Sequence, residues 1–274
     1  MQKESLVIEA NRSQNEYFKD LIRYRELFYF FAWRDILVRY KQALFGISWA
    51  LIRPLITMAL FTFIFGKLAA FPSDGIPYPI FALSGMVPWM LFANSIQETT
   101  PCLLANPSLL SRIYFPRVII PSSQIIVQFV DFLIALGLLF TLIIWQGEIS
   151  FWHFFCLPLF IALLMILCFG CSLILSALTV QYRDIRFIVP FFVQFGMYVS
   201  PVGYGSFMIP EKWQWLYFLN PMAGIIEGFR WSLFGVSQPY LWTALSYSIV
   251  ITAFLTFIGI KIFRKMERRF GDLI

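Results

Sequence analysis

The segment QYRDIR, residues 181–186, carries three charged side chains in a chain of which only 13% of the residues are charged. Residues 156–180 lie before it and residues 187–204 after it, and neither run contains a Lys, Arg, Asp or Glu. An apolar run of about 20 residues is long enough to cross the ~30 Å hydrocarbon core of a bilayer as a helix. The pattern therefore predicts two membrane-spanning helices that are joined by a short charged turn.

Runs of the same kind recur along the whole chain. A hydrophobic content of 59% and a mean hydropathy of +0.75 are too apolar for a soluble domain of 274 residues. The runs are continuous rather than alternating, which favours helices over the short strands of a membrane barrel. We predict an all-α polytopic membrane protein with six spans, at about 47–66, 79–96, 118–145, 154–179, 187–204 and 241–263.

The positions of Lys and Arg predict the orientation of these spans. If the amino terminus is cytoplasmic, 17 of the 21 Lys and Arg residues fall in cytoplasmic segments, as the positive-inside rule requires. The first 25 residues are polar and show no cleavable signal peptide, which agrees with this orientation. The net charge of +6 then reflects orientation and lipid contact rather than nucleic-acid binding. We expect a cytoplasmic amino-terminal segment at 1–45, a transmembrane domain at 46–263 and a basic cytoplasmic tail at 264–274.

Residue types that carry chemistry are scarce in this sequence. The four cysteines lack the spacing of a metal or redox site, and the single His153 does not form a metal cluster alone. No G-x-x-x-x-G-K-[ST] motif occurs, because FGKL at 65–68 lacks the upstream glycine and the following hydroxyl residue. The sequence predicts no metal site, no catalytic residue and no loop of this type for nucleotide phosphates.

An amphipathic helix is predicted at residues 26–42, before the first span. Its apolar side chains recur every three or four residues, at Phe30, Trp33, Leu37, Tyr40 and then Leu44. Such a helix lies in the membrane interface with its apolar face in the lipid. It either serves only as an anchor or has a further role.

A second short helix is predicted between spans two and three, where the sequence reads ANPSLLSRIYFPR. Asn106 is a suitable cap, Pro107 a suitable first residue and Pro116 a terminator, which gives a helix over residues 106–116. A short helix on the cytoplasmic face suits the docking of a soluble partner. An ordinary interfacial connector has the same pattern.

The outer segment from 201 to 239 is too apolar for a free loop and too rich in Pro and Gly for a span. It predicts two short helices, at about 210–218 and 221–234, and Glu227 and Arg230 on the second are spaced to pair. Helices of this length at membrane depth need protein or a watery cavity around them. We therefore predict a re-entrant hairpin that plugs or lines an outer exit.

Two charges fall within predicted spans, Arg53 and Asp131, and each costs about 2.5–3.5 kcal/mol near the bilayer centre. Both lie nearer the inner ends of their spans, so an ion pair between Arg53 and Asp131 is geometrically possible. We predict such a structural pair for these charges, and a proton relay is the alternative role. Several aromatic residues offer flat faces for sugar rings or else belong to the interfacial belt. Trp49, Trp89, Tyr198 and Tyr204 lie nearer span interiors, whereas Trp213 and Trp215 fall at an outer edge.

Five short motifs follow one another in a specific order. RYKQALFGISWALIRPL leads into the first span, QYRDIR precedes the fifth, SPVGY ends it, and LNPM and EGFRWSLFG follow. Together they resemble the ABC-2 type permeases that export polysaccharides and polyol phosphates, most of all the O-antigen polysaccharide permeases, with the teichoic acid permeases near them. The resemblance covers about residues 25 to 265. It implies a permease subunit that exports a lipid-linked polysaccharide across the bacterial cytoplasmic (inner) membrane.

The resemblance also implies partners and roles. Two permease copies would form a homodimer above two copies of a separate ABC ATPase, which would hold ATP and Mg²⁺. Residues 26–42 correspond to the interface helix, 106–116 to the coupling helix and 207–235 to the outer gate hairpin. Residues implied in ATPase coupling are Asn106, Arg112, Tyr114, Arg117, Arg183, Asp184 and Arg186. Arg34, Arg39 and Arg53 would meet a lipid pyrophosphate, because the Arg fork matches phosphate oxygens. Trp49, Trp89, Tyr198 and Tyr204 would follow the glycan path, and Trp213, Trp215, Glu227 and Arg230 would belong to the outer gate.

Other functions remain open at this point. An ion-coupled secondary transporter depends on intramembrane acids, of which Asp131 is the only one well inside a span. A membrane-bound glycan transferase would need paired carboxylates or His/Asp clusters, which are not evident. Within the family, the cargo is alternatively teichoic acid, a capsule glycan, a drug or a simple lipid. The QYRDIR charges either contact an ATPase or only fix the topology.

Overall fold

The computed structural model describes residues 20–41, 48–107, 109, 115–147, 151–268 and 270. Ten α-helices within these residues are numbered here in chain order. They are α1 (Arg25–Lys41), α2 (Ser48–Phe61), α3 (Tyr78–Thr99), α4 (Ile119–Gln146), α5 (Phe151–Phe154), α6 (Leu157–Gln181), α7 (Ile185–Val199), α8 (Glu211–Tyr217), α9 (Pro221–Phe234) and α10 (Leu241–Glu267). A π-helical segment, Thr62–Leu68, extends α2.

Five helices in the described part of the chain are long and apolar enough to span a membrane: Ser48–Leu68, Tyr78–Thr99, Ile119–Gln146, Trp152–Gln181 and Leu241–Glu267. The sixth predicted span, 187–204, is represented by α7, which has only 15 residues. At 1.5 Å per residue α7 is about 22 Å long, short of the ~30 Å core. It ends because Ser200 is extended, which is the conformation favoured before a proline such as Pro201.

Helix α3 lies at the centre of the bundle and α2 at its edge. In the most apolar window of α3, 78% of the residues are buried, whereas the corresponding value for Ser48–Leu68 is 6%. Helix α3 packs against α2, α4, α6, α7 and α9. Most of the surface of α2 therefore faces away from the rest of the helical bundle.

Helices α6 and α10 form the most extensive helix pair of the protein. Their backbones approach closely at two glycines, since a Cβ built on Gly259 would lie 2.5 Å from the carbonyl oxygen of Gly170. The Thr256 hydroxyl donates to the Ile166 carbonyl oxygen across the same interface, at 3.1 Å. Small residues therefore set the distance between these two spans.

Helix α1 docks on α4 through its less apolar side. Phe31 is buried and packs edge-on against Phe115, with ring centroids 5.9 Å apart. The predicted apolar stripe of α1 faces away from α4. Its residues Phe30, Trp33 and Leu37 are 59%, 50% and 41% exposed. Tyr40 turns toward α4 instead, and Leu44 lies outside the described residues.

The segment from 201 to 239 contains two short α-helices, α8 and α9, where the sequence predicts helices at about 210–218 and 221–234. The Asn220 side chain caps α9 by accepting from the backbone N–H of Met222 at 3.1 Å. Gly235, with a φ of 72°, ends it in the left-handed conformation that glycine adopts readily. Helix α9 is buried along most of its length among α3, α6 and α10.

Candidate functional site

A polar cavity of about 190 Å³ lies where α1, α2, α3 and α4 meet. Its walls combine apolar side chains with several polar or charged ones. The polar and aromatic lining residues are Arg39 and Tyr40 from α1, Trp49 and Arg53 from α2, Asn94 from α3, and Gln128 and Asp131 from α4. Both charges that the sequence placed within spans therefore line one cavity.

Asp131 is held by α1. Its Oδ2 lies 2.7 Å from Nη2 of Arg39, and the Tyr40 hydroxyl donates to its other carboxylate oxygen. Burial, and then the hydrogen bond to Asp131, raise the pKa of Tyr40 far above its ordinary value, so this hydroxyl stays a donor. The predicted Arg53–Asp131 ion pair is wrong, because α1 lies against α4 and supplies both partners of the carboxylate.

Arg53 lies at the mouth of the cavity with an exposed side chain. Its guanidinium carbon is 6.0 Å from the centroid of the Trp49 ring, one turn earlier on α2. No ion pair of Arg53 occurs within the residues that the structure describes. Because the Arg39 charge is balanced by Asp131, Arg53 gives the cavity its excess positive charge.

Gln128 is a cavity residue that the sequence analysis missed. It is only 1% exposed, and neither its Nε2 nor its Oε1 has a hydrogen-bond partner among the described residues. A signal for it exists in the sequence, since Gln124, Gln128 and Asp131 recur at steps of four and three along an apolar helix. That spacing places all three on one face of α4.

Arg34 does not join the other two predicted phosphate-binding residues. Its Nε donates to Asp35 Oδ1 at 2.8 Å, and its guanidinium carbon lies 5.2 Å from the Phe31 ring centroid. It is not among the residues that line the cavity. The structure thus brings together Arg39 and Arg53 at the cavity, whereas Arg34 pairs with Asp35 outside it.

The four aromatic residues predicted along a glycan path have different environments. Trp89 is 5% exposed and packs on Gly196 of α7, so no sugar ring reaches its face, and this prediction is wrong. Trp49 and Tyr198 are 43% and 56% exposed. The Tyr204 hydroxyl donates to the backbone carbonyl oxygens of Tyr198 and Val199, which holds the chain at the end of α7.

Residues predicted to contact an ATPase fall into two groups. Arg183 and Asp184 are exposed in the turn between α6 and α7, and Arg186 is exposed in the first turn of α7. Arg117 instead binds the end of α10, because its backbone N–H donates to Glu267 Oε1 and its Nη1 to the Glu267 carbonyl oxygen, both at 2.7 Å.

Little of the predicted coupling helix, 106–116, falls within the described residues. The Asn106 side-chain amide donates to the carbonyl oxygen of Cys102, four residues earlier in the chain, at 2.9 Å. Arg112 and Tyr114 lie outside the described residues. Their predicted roles in coupling therefore stay predictions.

The predicted pair of Glu227 and Arg230 forms in the structure, with an N–O distance of 3.6 Å. Both residues are buried, at 6% and 5% exposure. Glu227 Oε1 accepts from the Ser206 backbone N–H at 2.9 Å and from its hydroxyl at 2.7 Å. This buried pair fixes α9 to the chain that follows α7, while Trp213 and Trp215 on α8 are exposed.

Replacing Asp131 with asparagine is expected to lower the free energy of unfolding by about 1–3 kcal/mol, because the Arg39 charge loses its partner in a partly buried site. Helix α1 should also become more sensitive to limited proteolysis. Thermal unfolding in detergent and protease digestion measure both effects, with Asp184→Asn in the exposed turn as the matched control. Equal stability and digestion in the two variants would show that Asp131 does not hold α1.

The ABC-2 type transporter family has a sequence model that matches residues 26–234 of this chain. The O-antigen export system permease protein RfbA of Klebsiella pneumoniae is 30% identical over 243 residues, which are 88% of this chain and 92% of RfbA. The polysialic acid transport protein KpsM of Escherichia coli is 26% identical over 85% of this chain and 91% of KpsM. The inner membrane transport permease YadH of Escherichia coli K12 is 26% identical over 74% of this chain and 83% of YadH.

The family match runs from the second residue of α1 to the end of α9 and includes every helix that lines the polar cavity. The described helices and the relatives agree on a multi-pass membrane protein of the transport permease type. The chain belongs to the ABC-2 type transporter family.

Proposed function

We propose that this chain is the transmembrane permease subunit of an ATP-driven exporter that moves a lipid-linked polysaccharide across the bacterial cytoplasmic membrane. The relatives that export O-antigen support the class of cargo. The observation that carries the proposal is Arg53, which lies without an ion pair, among the described residues, at the mouth of a cavity that also contains Trp49. An exposed guanidinium of this kind is suited to the phosphate group that links a glycan to its lipid.

The neighbouring residues have distinct tasks in this proposal. Arg53 binds the phosphate oxygens through its planar fork of donors. The Arg39–Asp131 pair carries no net charge and keeps α1 against α4, so it forms the wall of the cavity. Trp49 is 43% exposed beside Arg53, and its indole ring would contact the apolar face of a sugar ring.

A second copy of the chain completes the transport path in this proposal. The bare surface of Ser48–Leu68 supports it, because only 6% of its most apolar window is buried within one chain. Helix α7 likewise exposes a row of aromatic side chains, Phe187, Phe191, Phe195 and Tyr198, at 54–68%. In a homodimer these two surfaces would enclose a path lined with aromatic rings, and the outer hairpin with α8 and α9 would close its far end.

Energy for export would come from a separate ABC ATPase, since the sequence lacks a phosphate-binding loop of the G-x-x-x-x-G-K-[ST] type. Two ATPase copies would hold ATP and Mg²⁺ and dock on the cytoplasmic face. The exposed charges of Arg183, Asp184 and Arg186, together with the segment 106–116, are the proposed contacts. Both chain termini would lie on that side, in keeping with the distribution of Lys and Arg.

A capsule glycan is the second candidate cargo, and the similarity to the polysialic acid transport protein KpsM supports a polysaccharide other than O-antigen. Teichoic acid export is a further variant of the same function. An ion-coupled secondary transporter has less support, because Asp131, the carboxylate on which it would depend, is bound by Arg39 and Tyr40.

Affinity purification of the tagged chain from its native membrane in mild detergent tests this proposal. We expect a complex of two permease and two ATPase chains by native mass spectrometry, with vanadate-sensitive ATP hydrolysis. Depletion of the chain should cause a lipid-linked glycan to accumulate on the cytoplasmic side. A chain that purifies without an ATPase and still transports in vesicles would contradict the proposal.

A further inference from the structure

Gln128 is the middle residue of a polar stripe on α4 whose other two members bind α1. Gln124 Nε2 donates to Asp35 Oδ2 at 2.6 Å, and Asp131 binds Arg39 at 2.7 Å. Asp35 and Arg39 are four residues apart, so the two contacts fix α1 along α4 on both sides of Gln128. Gln128 itself has no partner from α1 and lines the cavity instead.

Leaving such an amide without a partner is costly. A buried polar group that makes no hydrogen bond has lost its hydration without gaining a partner in return. Gln128 is 1% exposed, and neither its donor nor its acceptor is used among the described residues. The amide provides two N–H donors and a carbonyl acceptor, so its best ligand is a group that both donates and accepts. A sugar hydroxyl and an acetamido group have this property, whereas a fully ionised phosphate only accepts.

The cavity limits what can reach this amide. At about 190 Å³ it is smaller than the roughly 300–1,000 Å³ of pockets that enclose whole drug-sized ligands. It therefore holds a headgroup, and a longer glycan would extend outside the cavity. The unbalanced charge of Arg53 at the mouth favours an anion there, and Gln128 lies on the buried wall.

We infer that Gln128 is a specificity-determining residue which recognises the hydroxyl or acetamido group next to the phosphate of the transported lipid, while Arg53 binds the phosphate. This inference rests on the proposed function, because it concerns the same cavity. It extends that function by giving the permease a preference for a sugar-bearing lipid phosphate over the same lipid without its sugar. A hydroxyl-bearing phospholipid headgroup has the same chemistry and is the second possible source.

Equilibrium binding to the permease–ATPase complex in nanodiscs tests the inference with three probes. They are a polyprenyl pyrophosphate that carries one N-acetylhexosamine, the same polyprenyl pyrophosphate without sugar, and phosphatidylglycerol as a competitor. We expect the sugar-bearing probe to bind about tenfold more tightly than the sugar-free one, as two net hydrogen bonds allow. Gln128→Leu should abolish this preference, so that the sugar-bearing and the sugar-free probe bind with equal affinity.

Further variants separate binding from folding. Thr252→Val is the matched control, because Thr252 is also buried and its hydroxyl has no partner among the described residues, but it lies on α10 outside the cavity. Gln128→Leu should be at least as stable as the wild type, since it removes an unsatisfied amide. If Gln128→Leu fails to fold, Gln128→Met replaces it, because methionine has an unbranched side chain of similar length. The same loss of preference is expected for Gln128→Met.

The outcomes distinguish the inference from the proposed function. An undiminished sugar preference in the Gln128 variants overturns the inference, even if Arg53→Gln weakens the binding of both pyrophosphate probes. A second outcome combines two results: phosphatidylglycerol competes only when Gln128 is present, and the two polyprenyl probes bind equally. That outcome would assign the amide to a membrane lipid and overturn its role in cargo selection. Failure of Arg53→Gln to affect either binding or export would count against the proposed function itself.

Discussion

Replacing Arg230 with methionine is expected to lower the free energy of unfolding by about 3–5 kcal/mol. Arg230 is 5% exposed, and its Nη1 and Nη2 donate to the backbone carbonyl oxygens of Tyr204 and Val202 at 3.2 and 3.0 Å. Its guanidinium also lies 3.8 Å from the centroid of the Phe81 ring. The substitution would leave Glu227 as a buried charge without its cation and two carbonyl groups without a donor.

Thermal unfolding of the purified protein in detergent measures this effect. A loss of this size should lower the midpoint by on the order of 10 °C in a chain of this length. Lys212→Met on α8 is the matched control, because Lys212 is exposed and its replacement should shift the midpoint little. Arg230→Lys should fall between the two, since a single ammonium group does not reproduce the fork.

A double substitution identifies the source of the loss. If the unpaired Glu227 charge accounts for most of it, Glu227→Gln combined with Arg230→Met should be more stable than Arg230→Met alone. An unchanged midpoint in Arg230→Met would mean that the pair does not hold α9 in place. Helix α9 would then be held by its other contacts with α3, α6 and α10.

The helical bundle follows from local sequence to a large degree. Long apolar runs and Pro or Gly interruptions predict helices whose bounds lie near those of α8 and α9. The exception is α7, which was predicted as a full span because the apolar run continues to Tyr204. The helix stops at Val199, since the backbone restriction that Pro201 imposes on Ser200 outweighs hydrophobicity.

Contacts between helices were harder to predict, because an apolar helix does not reveal which of its faces is buried. Trp89 illustrates the difficulty, since only the close approach of Gly196 shows that its ring is enclosed. Arg117 is another case, because its partner Glu267 is 150 residues away in the chain. Periodicity within one helix contains no information about such partners.

The polar cavity was predictable only in part. The Arg53 and Asp131 charges marked its neighbourhood, but the ion pair forms with Arg39 because of how α1 lies on α4. The stripe of Gln124, Gln128 and Asp131 carried the missing information. Three polar side chains on one face of an apolar helix indicate that this face meets a polar neighbour or a ligand.

Under the proposed function, replacing Arg53 with glutamine is expected to reduce glycan export by about tenfold to a hundredfold, which corresponds to losing hydrogen bonds to a charged group. The fold should not change, because Arg53 is exposed and has no ion pair within the described residues. Export is measured in cells whose only copy of the permease is the variant, by the amount of glycan that reaches the outer surface. The amount of permease in the membrane, measured on the same cells, corrects for expression.

Two further variants give this measurement its specificity. Arg53→Lys keeps the charge but loses the planar fork, so export should be reduced by less than in Arg53→Gln. Lys67→Gln removes a positive charge from the opposite end of the same span, outside the cavity, and should export normally. Equal export by Arg53→Gln and Lys67→Gln would show that the cargo phosphate does not bind at Arg53. Export that falls only in the Arg53 variants would locate the phosphate at the mouth of the cavity. Arg53 and Lys67 lie on the same span, but only Arg53 lines the cavity.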